Sequence, residues 1–241
     1  MHTLNAHPGP EIRGVRPILS GPLLACLVAV FTLVAACSDD PATPTPRDAQ
    51  ALEVNVHLLS SSDSEALSTT LDEDEVTRLF GSVNEVWGQA DIEWEVQSVV
   101  RTEVSGGSAV QDMVEGSGPP DANVLREAVP LEDLTEGVWD VLLIRDLGGM
   151  VGGVYFPALE VVIQPELAPD GTRDIEGSLT RILSHELGHG LGLQHVPCTG
   201  EGNLMAPGCL RGDRTRLTAE QIEASRAQAE IGPYRGGPAS F

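Results

Sequence analysis

The feature that most constrains this 241-residue chain is the spacing of three histidines around residue 190. His185 and His189 are four residues apart, so a helix would place both imidazoles on one face, one turn apart. Gly192 can adopt the left-handed conformation that ends a helix and turns the chain sharply. The turn would bring His195 back to the other two rings, so this stretch predicts a helix, a bend and a shared cation.

The residue types in this stretch indicate which cation would bind. Three neutral imidazoles and an open fourth position form the ligand set of a catalytic zinc site. Glu186 stands beside the first histidine, close enough to address a water at the metal without being a ligand. The whole chain has only six histidines, so chance explains the pattern poorly. His57 stands alone in a predicted strand and is expected to be structural. The candidate site has one Zn²⁺ ion, the ligands His185, His189 and His195, and the catalytic residue Glu186.

The residues 185–195 match the zinc-binding consensus HExxHxxGxxH of the metzincin metallopeptidases. The chain resembles the matrixin-like branch most, because Asn203-Leu204-Met205-Ala206-Pro207 follows where that family has a methionine turn. The resemblance implies an α/β (α+β) zincin domain with a mixed twisted sheet, an active-site helix and a C-terminal helix. It also implies a zinc-dependent endopeptidase that acts on proteins or peptides, with Glu186 as general base on a zinc-bound water. Gly192 and Met205 would be structural residues of that site.

Hydrophobic periodicity predicts the order of the other elements. Strands are expected at 52–58, 92–96, 138–144 and 160–163. Helices are expected at 76–87 behind an acidic first turn at 72–75, at about 178–189, and after the N-cap Thr218. The residues 105–121 are rich in Gly, Ser and Pro and predict a loop. A glycine-rich loop is expected to enter a strand that ends at Pro157, a position suited to a sheet edge. Strands mixed with helices indicate an α/β or α+β domain over 51–235, with a tail at 236–241.

The segment 148–157 is similar to the matrixin segment that forms the upper rim of the cleft, where a substrate chain pairs with an exposed strand. A matrixin histidine for a second, structural zinc would fall at about Gly153, and its partners are not apparent. One zinc is therefore expected. Calcium is possible but unsupported, because scattered carboxylates usually form a solvated surface. Pro207 stands where astacin-like and serralysin-like members carry a tyrosine, which argues against those branches.

The N-terminal region predicts a secretory leader. Arg13 and Arg16 precede an uncharged stretch at 17–38 that contains a long apolar run. The sequence Val34-Ala35-Ala36-Cys37 resembles a bacterial lipobox, which implies cleavage before Cys37 and a lipid on that cysteine. The residues 1–36 would be a signal peptide and 37–50 a flexible tether. We expect an extracytoplasmic lipoprotein anchored to a membrane by its lipid, with a single-pass membrane helix as the alternative.

An address outside the cytoplasm permits disulfides. Cys198 and Cys209 bracket the Met205 turn and are expected to pair, which would pin the loop beneath the metal. Metal binding by these two cysteines is a weaker alternative. No cysteine switch and no folded propeptide are expected, because Cys26 would leave with the leader and Cys37 would be lipidated.

Charge excludes one class of partner. The formal net charge is −22, and every basic residue is an arginine, so a nucleic-acid backbone would be repelled. The chain is expected to be monomeric. Two other classes of function stay open: a catalytically inactive surface zinc-binding or interaction module, and a structural lipoprotein with an incidental motif. Glu186 favours the peptidase, because a pure binder gains little from a carboxylate at that position.

Overall fold

The computed structural model describes the residues 48–105, 134–147, 152–198, 202–207 and 214–237, and the single positions 109, 112, 123, 124 and 127. The predictions for the signal peptide, for Cys37, for most of the tether and for most of the tail lie outside these residues. No helix among the described residues is long and apolar enough to cross a membrane.

A mixed five-stranded sheet forms the centre of the domain. Its strands are β1 (Gln50–Ser60), β2 (Ile92–Glu103), β3 (Trp139–Ile144), β4 (Val154–Phe156) and β5 (Val161–Pro165). Their order across the sheet is β2-β1-β3-β5-β4, and only β4 runs antiparallel to its neighbour. The predicted mixed sheet is confirmed, and β4 is an edge strand as the proline at its end indicates. Strand β1 begins one residue before the predicted start of the folded part.

Three helices accompany the sheet: α1 (Glu73–Trp87), α2 (Thr180–Gly190) and α3 (Ala219–Ala229). A capping box begins α1, in which the Asp72 carboxylate accepts the Glu75 N–H at 2.9 Å and the Glu75 carboxylate accepts the Asp72 N–H at 3.2 Å. Thr218 and Gln221 form the same motif at α3, as predicted. Both helices therefore begin where local side chains satisfy the first backbone donors.

Two predicted boundaries were wrong. Helical structure before α2 begins at a π-helical turn, Ile175–Leu179, three residues ahead of the predicted start. Asp174 causes this early start, because its carboxylate accepts the N–H groups of Gly177 and Ser178, each at 3.2 Å. Strand β2 continues seven residues past its predicted end, because it pairs with β1 along the full length of that strand.

The predicted loop at 105–121 is also wrong at two positions. Ala109 and Asp112 are helical, and most of the rest of that segment lies outside the described residues. The many glycines and serines of the segment outweighed the good helix former Ala109 in the prediction.

The two faces of the sheet bury separate apolar clusters. The larger cluster packs under α1 and α2, and it includes Trp87, Trp94 and Trp139. These rings meet edge to face, with centroids 6.3 Å apart for the first pair and 5.4 Å for the second. The smaller cluster fills the opposite face of β3, β4 and β5. The larger cluster contains Tyr155 of the edge strand β4 and Leu187 of α2, so both elements pack into the same core.

His57 ties three strands together inside the sheet. It is almost fully buried on β1, with Nδ1 3.2 Å from the Thr102 hydroxyl on β2 and Nε2 3.1 Å from the Asp140 carboxylate on β3. Both ring nitrogens are therefore occupied within the sheet, in agreement with the structural role predicted for this residue.

Candidate metal centre

Helix α2 ends in a sharp bend at Gly192. The N–H of Gly192 donates to the His189 carbonyl at 2.9 Å. The N–H of Leu193 donates to the Gly188 carbonyl, also at 2.9 Å, which completes a Schellman C-cap. Gly192 has a φ of +75°, in the left-handed region that favours glycine. The bend returns the chain along α2 and carries His195 to the other two imidazoles.

The three imidazoles converge through one atom type, Nε2. The Nε2 of His195 lies 3.0 Å from that of His185 and 3.0 Å from that of His189, and the last two are 3.2 Å apart. Ligand nitrogens at Zn–N bonds of about 2.0–2.1 Å stand about 3.3 Å apart in a tetrahedral site. Among the described residues, this is the one group of three or more His, Cys, Asp or Glu side chains placed to share a metal ion.

Backbone carbonyls orient two of the rings. The Nδ1 of His185 lies 2.7 Å from the Leu204 carbonyl oxygen, and the Nδ1 of His189 lies 2.8 Å from that of Leu193. A carbonyl oxygen can only accept, so each Nδ1 carries the hydrogen and donates it. In the neutral rings, each Nε2 then carries no hydrogen and has a free lone pair, which is the form that binds a metal.

Burial keeps these rings neutral. Desolvation lowers the pKa of His185 to about 4 and the pKa of His189 to about 3, and it also lowers the pKa of His195. At neutral pH the Nε2 atoms of His185 and His189 are both acceptors, so they cannot hydrogen-bond to each other across 3.2 Å. A cation between them gives the two lone pairs a common partner, and the three-imidazole donor set fits zinc.

Met205 packs against α2 at Gly188. It is fully buried, and a Cβ at Gly188 would stand 2.6 Å from its sulfur, so only glycine permits this contact. The Met205 N–H donates to the Asn203 side chain at 2.8 Å, and the Asn203 amide donates to Gln221 at 2.7 Å. The turn that holds the His185 ring through the Leu204 carbonyl is therefore anchored to the start of α3.

Glu186 is enclosed between α2 and β4. Its carboxylate accepts the backbone N–H of Tyr155, and its second oxygen, Oε2, is buried with no hydrogen-bond partner in the described part of the chain. Burial raises the pKa of the Glu186 carboxyl well above its usual range, and the Tyr155 bond opposes this shift. A Cβ at Gly153 would stand 2.7 Å from the Glu186 side chain. Any larger residue at position 153 would therefore displace the Glu186 side chain.

The sequence analysis missed a second set of contacts at the end of α2. The hydroxyl of Tyr155 donates to the Tyr234 carbonyl at 2.6 Å, and the Tyr234 N–H donates to the Gly190 carbonyl at 2.9 Å. Gly190 also packs against Trp139, whose indole nitrogen would lie 3.0 Å from a Cβ at that position. The residues after α3 thus tie the end of α2 to the edge strand, and no local sequence signal announces such a contact.

The structure describes the predicted cysteine pair only in part. Cys198 is disulfide-bonded. Cys209 lies outside the described residues, so the pairing of these two cysteines stays a prediction.

No protein-family model matches this chain, and no curated protein matches it. Its fold is similar to archaemetzincin from Methanopyrus kandleri, with 18% identity, 75% of this chain and 97% of that chain covered, and a TM-score of 0.46. Mature mirolysin of Tannerella forsythia, solved with a cleaved peptide, has 14% identity, coverages of 75% and 92% and a TM-score of 0.45. Metalloproteinase-II from Bacteroides fragilis has 15% identity, coverages of 79% and 56% and a TM-score of 0.43. At such low scores and identities, the function has to be inferred from the residues of this chain.

Proposed function

We propose that this protein is a zinc-dependent endopeptidase of the metzincin type, nearest to the matrixin-like branch, which hydrolyses peptide bonds of extracytoplasmic proteins. The proposal is carried by one observation, the convergence of three Nε2 atoms within 3.0–3.2 Å of one another. The carboxylate of Glu186 follows the first of these histidines in the chain and is enclosed by the edge strand.

The residues divide the chemistry among themselves. His185, His189 and His195 would hold the ion, and the carbonyls that accept from two of the rings keep those Nε2 atoms free for it. A bound zinc ion supplies Lewis acidity, which acidifies water and polarises the scissile carbonyl. Glu186 takes the proton from the attacking water and later delivers it to the departing amine.

The substrate chain would lie along β4. This strand is at the edge of the sheet, and an extended peptide can extend such an edge through main-chain hydrogen bonds. The N–H of Tyr155, on the same strand, holds the Glu186 carboxylate. One short strand would thereby position both the substrate backbone and the group that moves the proton.

Replacement of Glu186 by glutamine tests the role of the carboxylate. Glu186→Gln keeps the size of the side chain and the three imidazoles, so bound zinc should stay at one ion per chain. Chelator-sensitive cleavage of casein should fall by about 10²–10⁴-fold, the usual contribution of a general base. Glu223→Gln, at an exposed position of α3, is the matched control and should keep full activity.

Two outcomes would overturn the proposal in different ways. Full activity in Glu186→Gln would remove the general-base role. Zinc bound by the natural chain, with no cleavage of any member of a broad peptide library, would favour a catalytically inactive zinc-binding module.

The cellular location of the protein is a separate proposal. We propose that Cys37 carries a lipid that anchors the chain outside the cytoplasm, on the strength of the lipobox-like sequence before it. The full chain, expressed in a bacterium that lipidates secreted proteins, should incorporate labelled palmitate. Cys37→Ser should abolish the label and Cys26→Ser should keep it, whereas a label that survives Cys37→Ser contradicts the assignment.

A further inference from the structure

A groove of about 610 Å³ lies beside the start of α2. Its walls come from α1, from the π-helical turn that precedes α2, and from the residues just before α3. Two cationic side chains, Arg181 and Arg214, contribute to its lining. The groove is a cavity of the size that ligand sites have, and none of the three histidines lines it.

Among the residues that the structure describes, neither arginine has a carboxylate as an ion-pair partner. Five other arginines in the described residues form ion pairs with Asp or Glu: Arg78, Arg145, Arg173, Arg226 and Arg235. In the described part of the chain, neither Arg181 nor Arg214 forms an ion pair or a side-chain hydrogen bond. Acidic residues outnumber basic ones by 36 to 14, so carboxylates are plentiful. Arg101 and Arg216 also form no ion pair with a described residue, but both are exposed. Arg181 and Arg214 are therefore the two partly buried guanidiniums without an ion pair in this part of the chain.

Partial burial and mutual repulsion both disfavour the charged forms of these two arginines. Desolvation lowers the pKa of Arg181 and the charge of Arg214 lowers it further, whereas the charges of Asp170 and Asp174 oppose this shift. Desolvation also lowers the pKa of Arg214. Two like charges that share a half-buried groove favour the binding of an anion between them. Guanidinium groups bind carboxylates through paired, parallel hydrogen bonds.

The carboxylates that line the same groove form no ion pair with either arginine, although the charge of Asp174 acts on Arg181 and opposes the lowering of its pKa. Glu85, Asp174 and Glu176 all contribute to the lining, and none is within ion-pairing distance of either guanidinium. The carboxylate of Asp174 accepts the backbone N–H groups of Gly177 and Ser178 instead. These three acids would repel an anion elsewhere in the groove and so restrict it to the arginine side.

The arginines lie close to the metal centre along the chain. Arg181 precedes His185 by four residues in α2, so the two side chains share a face about 6 Å apart along the helix axis. Arg214 comes two residues before Arg216, whose carbonyl accepts the Leu204 N–H at 2.8 Å. The carbonyl of the same Leu204 orients the His185 ring. A peptide residue spans about 3.4 Å when extended, so a substrate at the metal reaches the groove within about three residues.

We propose that Arg181 and Arg214 form a carboxylate-binding subsite of this peptidase, which selects substrates with an acidic group within about three residues of the scissile bond. The subsite rests on the proposed function, because a peptide must first reach the metal centre. The acidic group is either an Asp or Glu side chain or the C-terminal carboxylate of the substrate. Either source would place a carboxylate between the guanidinium groups of Arg181 and Arg214.

Matched peptides distinguish these two sources. One series varies a single position near the scissile bond among Glu, Gln and Leu, and the other ends in a free acid or an amide. The natural chain should cleave the Glu peptide, the free-acid peptide or both with a kcat/KM about tenfold or more above the uncharged forms. Equal kcat/KM values for charged and uncharged peptides in both series would overturn the subsite.

Substitutions assign the preference to the arginines. Arg181→Gln and Arg214→Gln should each lose most of it while retaining cleavage of the Leu peptide, and the double charge reversal to Glu should turn it towards Lys. Arg78→Gln is the matched control, because this exposed arginine of α1 does not line the groove. A preference for acidic peptides that survives both substitutions would overturn the assignment.

Two further measurements keep the proposal independent of folding and of turnover. The preference of the natural chain should fall as salt rises from 0.05 to about 0.5 M, because salt screens charge pairs, and a salt-insensitive preference would contradict it. Binding of the same peptides to Glu186→Gln, followed by fluorescence anisotropy, should show the same order without cleavage. If the natural chain cleaves none of these peptides while Glu186→Gln binds them in this order, the peptidase is refuted and the subsite is kept. Cleavage by the natural chain without any acidic preference would refute the subsite alone.

Discussion

His57 and His189 are buried histidines and His185 is half-buried, yet the ring nitrogens of His57 have different partners from those of the other two. Both nitrogens of His57 have side-chain partners, the Thr102 hydroxyl and the Asp140 carboxylate. His185 and His189 each use Nδ1 for a backbone carbonyl and turn Nε2 towards another histidine. Burial alone therefore does not distinguish a structural histidine from a metal ligand. The distinguishing property is whether one nitrogen is left without a donor or acceptor of its own.

The same contrast separates residues that contribute to the stability of the fold from residues that contribute to metal affinity. His57 joins strands β1, β2 and β3, so its partners hold the sheet together. The carbonyls of Leu193 and Leu204 hold single rings in one orientation at the end of a helix. Substitutions in the first group should change the free energy of unfolding, and substitutions in the second should change metal affinity.

The largest expected effect comes from the ligands themselves. His189→Ala removes one of three nitrogens, and two imidazoles do not retain zinc at a site that needs three. Bound zinc, measured by atomic absorption after dialysis, should fall from one ion per chain to nearly none, and peptidase activity should vanish. A His189→Ala chain that keeps stoichiometric zinc would show that the metal binds elsewhere.

The next effect belongs to the buried network in the sheet. Asp140→Ala leaves His57 and the Thr135 N–H without an acceptor, which should cost about 2–3 kcal/mol in the free energy of unfolding. Urea denaturation of the zinc-free protein measures this cost. Zinc stoichiometry of the folded variant should be unchanged, and a loss of zinc at full stability would contradict the separation of the two regions.

A glycine beneath the ligands should show an intermediate effect on both properties. Gly188→Ala places a methyl group where the Met205 sulfur lies, 2.6 Å away, so the methionine or the helix must shift. We expect a loss of about 1–3 kcal/mol in stability and a zinc affinity lower by about tenfold, as supporting residues of metal sites typically give. Gly81→Ala is the control, because nothing lies within 4 Å of a Cβ at that position of α1. A zinc affinity unchanged in Gly188→Ala would mean that Met205 does not support the site.

The smallest effect should follow from the second partner of His57. Thr102→Val removes one hydroxyl and keeps the shape, so it should cost about 1 kcal/mol in the free energy of unfolding. Zinc affinity, measured by competition with a chelating dye, should not change. A cost comparable to that of Asp140→Ala would mean that the hydroxyl contributes as much to this network as the carboxylate does.

Local signals in the sequence were reliable where local chemistry decides the structure. The residues Thr218 and Gln221 predict the start of α3, because a capping box satisfies backbone donors within four residues. Gly192 predicts the bend after α2, because few other residues adopt a positive φ without strain. The earlier start at Asp174 was missed, because a π-helical turn does not follow the 3.6-residue spacing on which the prediction relied.

Contacts between distant segments were not predictable in the same way. Three contacts each join residues 33 or more positions apart: Gly153 beside Glu186, the Tyr234 bridge between Tyr155 and Gly190, and the groove shared by Arg181 and Arg214. No pattern in the sequence around these residues predicts that they are in contact. Only the packing of β4 and of the segments just before and just after α3 against α2 brings them together.

The sequence by itself determined the donor set, because a helix and a glycine bend place three imidazoles within reach of one ion whatever the rest of the chain does. It also determined the alternation and capping that specify a mixed sheet with helices. The tertiary structure alone decided which nitrogen of each ring stays free, how deeply Glu186 is buried, and which charges line the neighbouring groove. The physical reason is that hydrogen-bond partners and desolvation depend on whichever segment packs against a residue, and the three-dimensional fold chooses that segment.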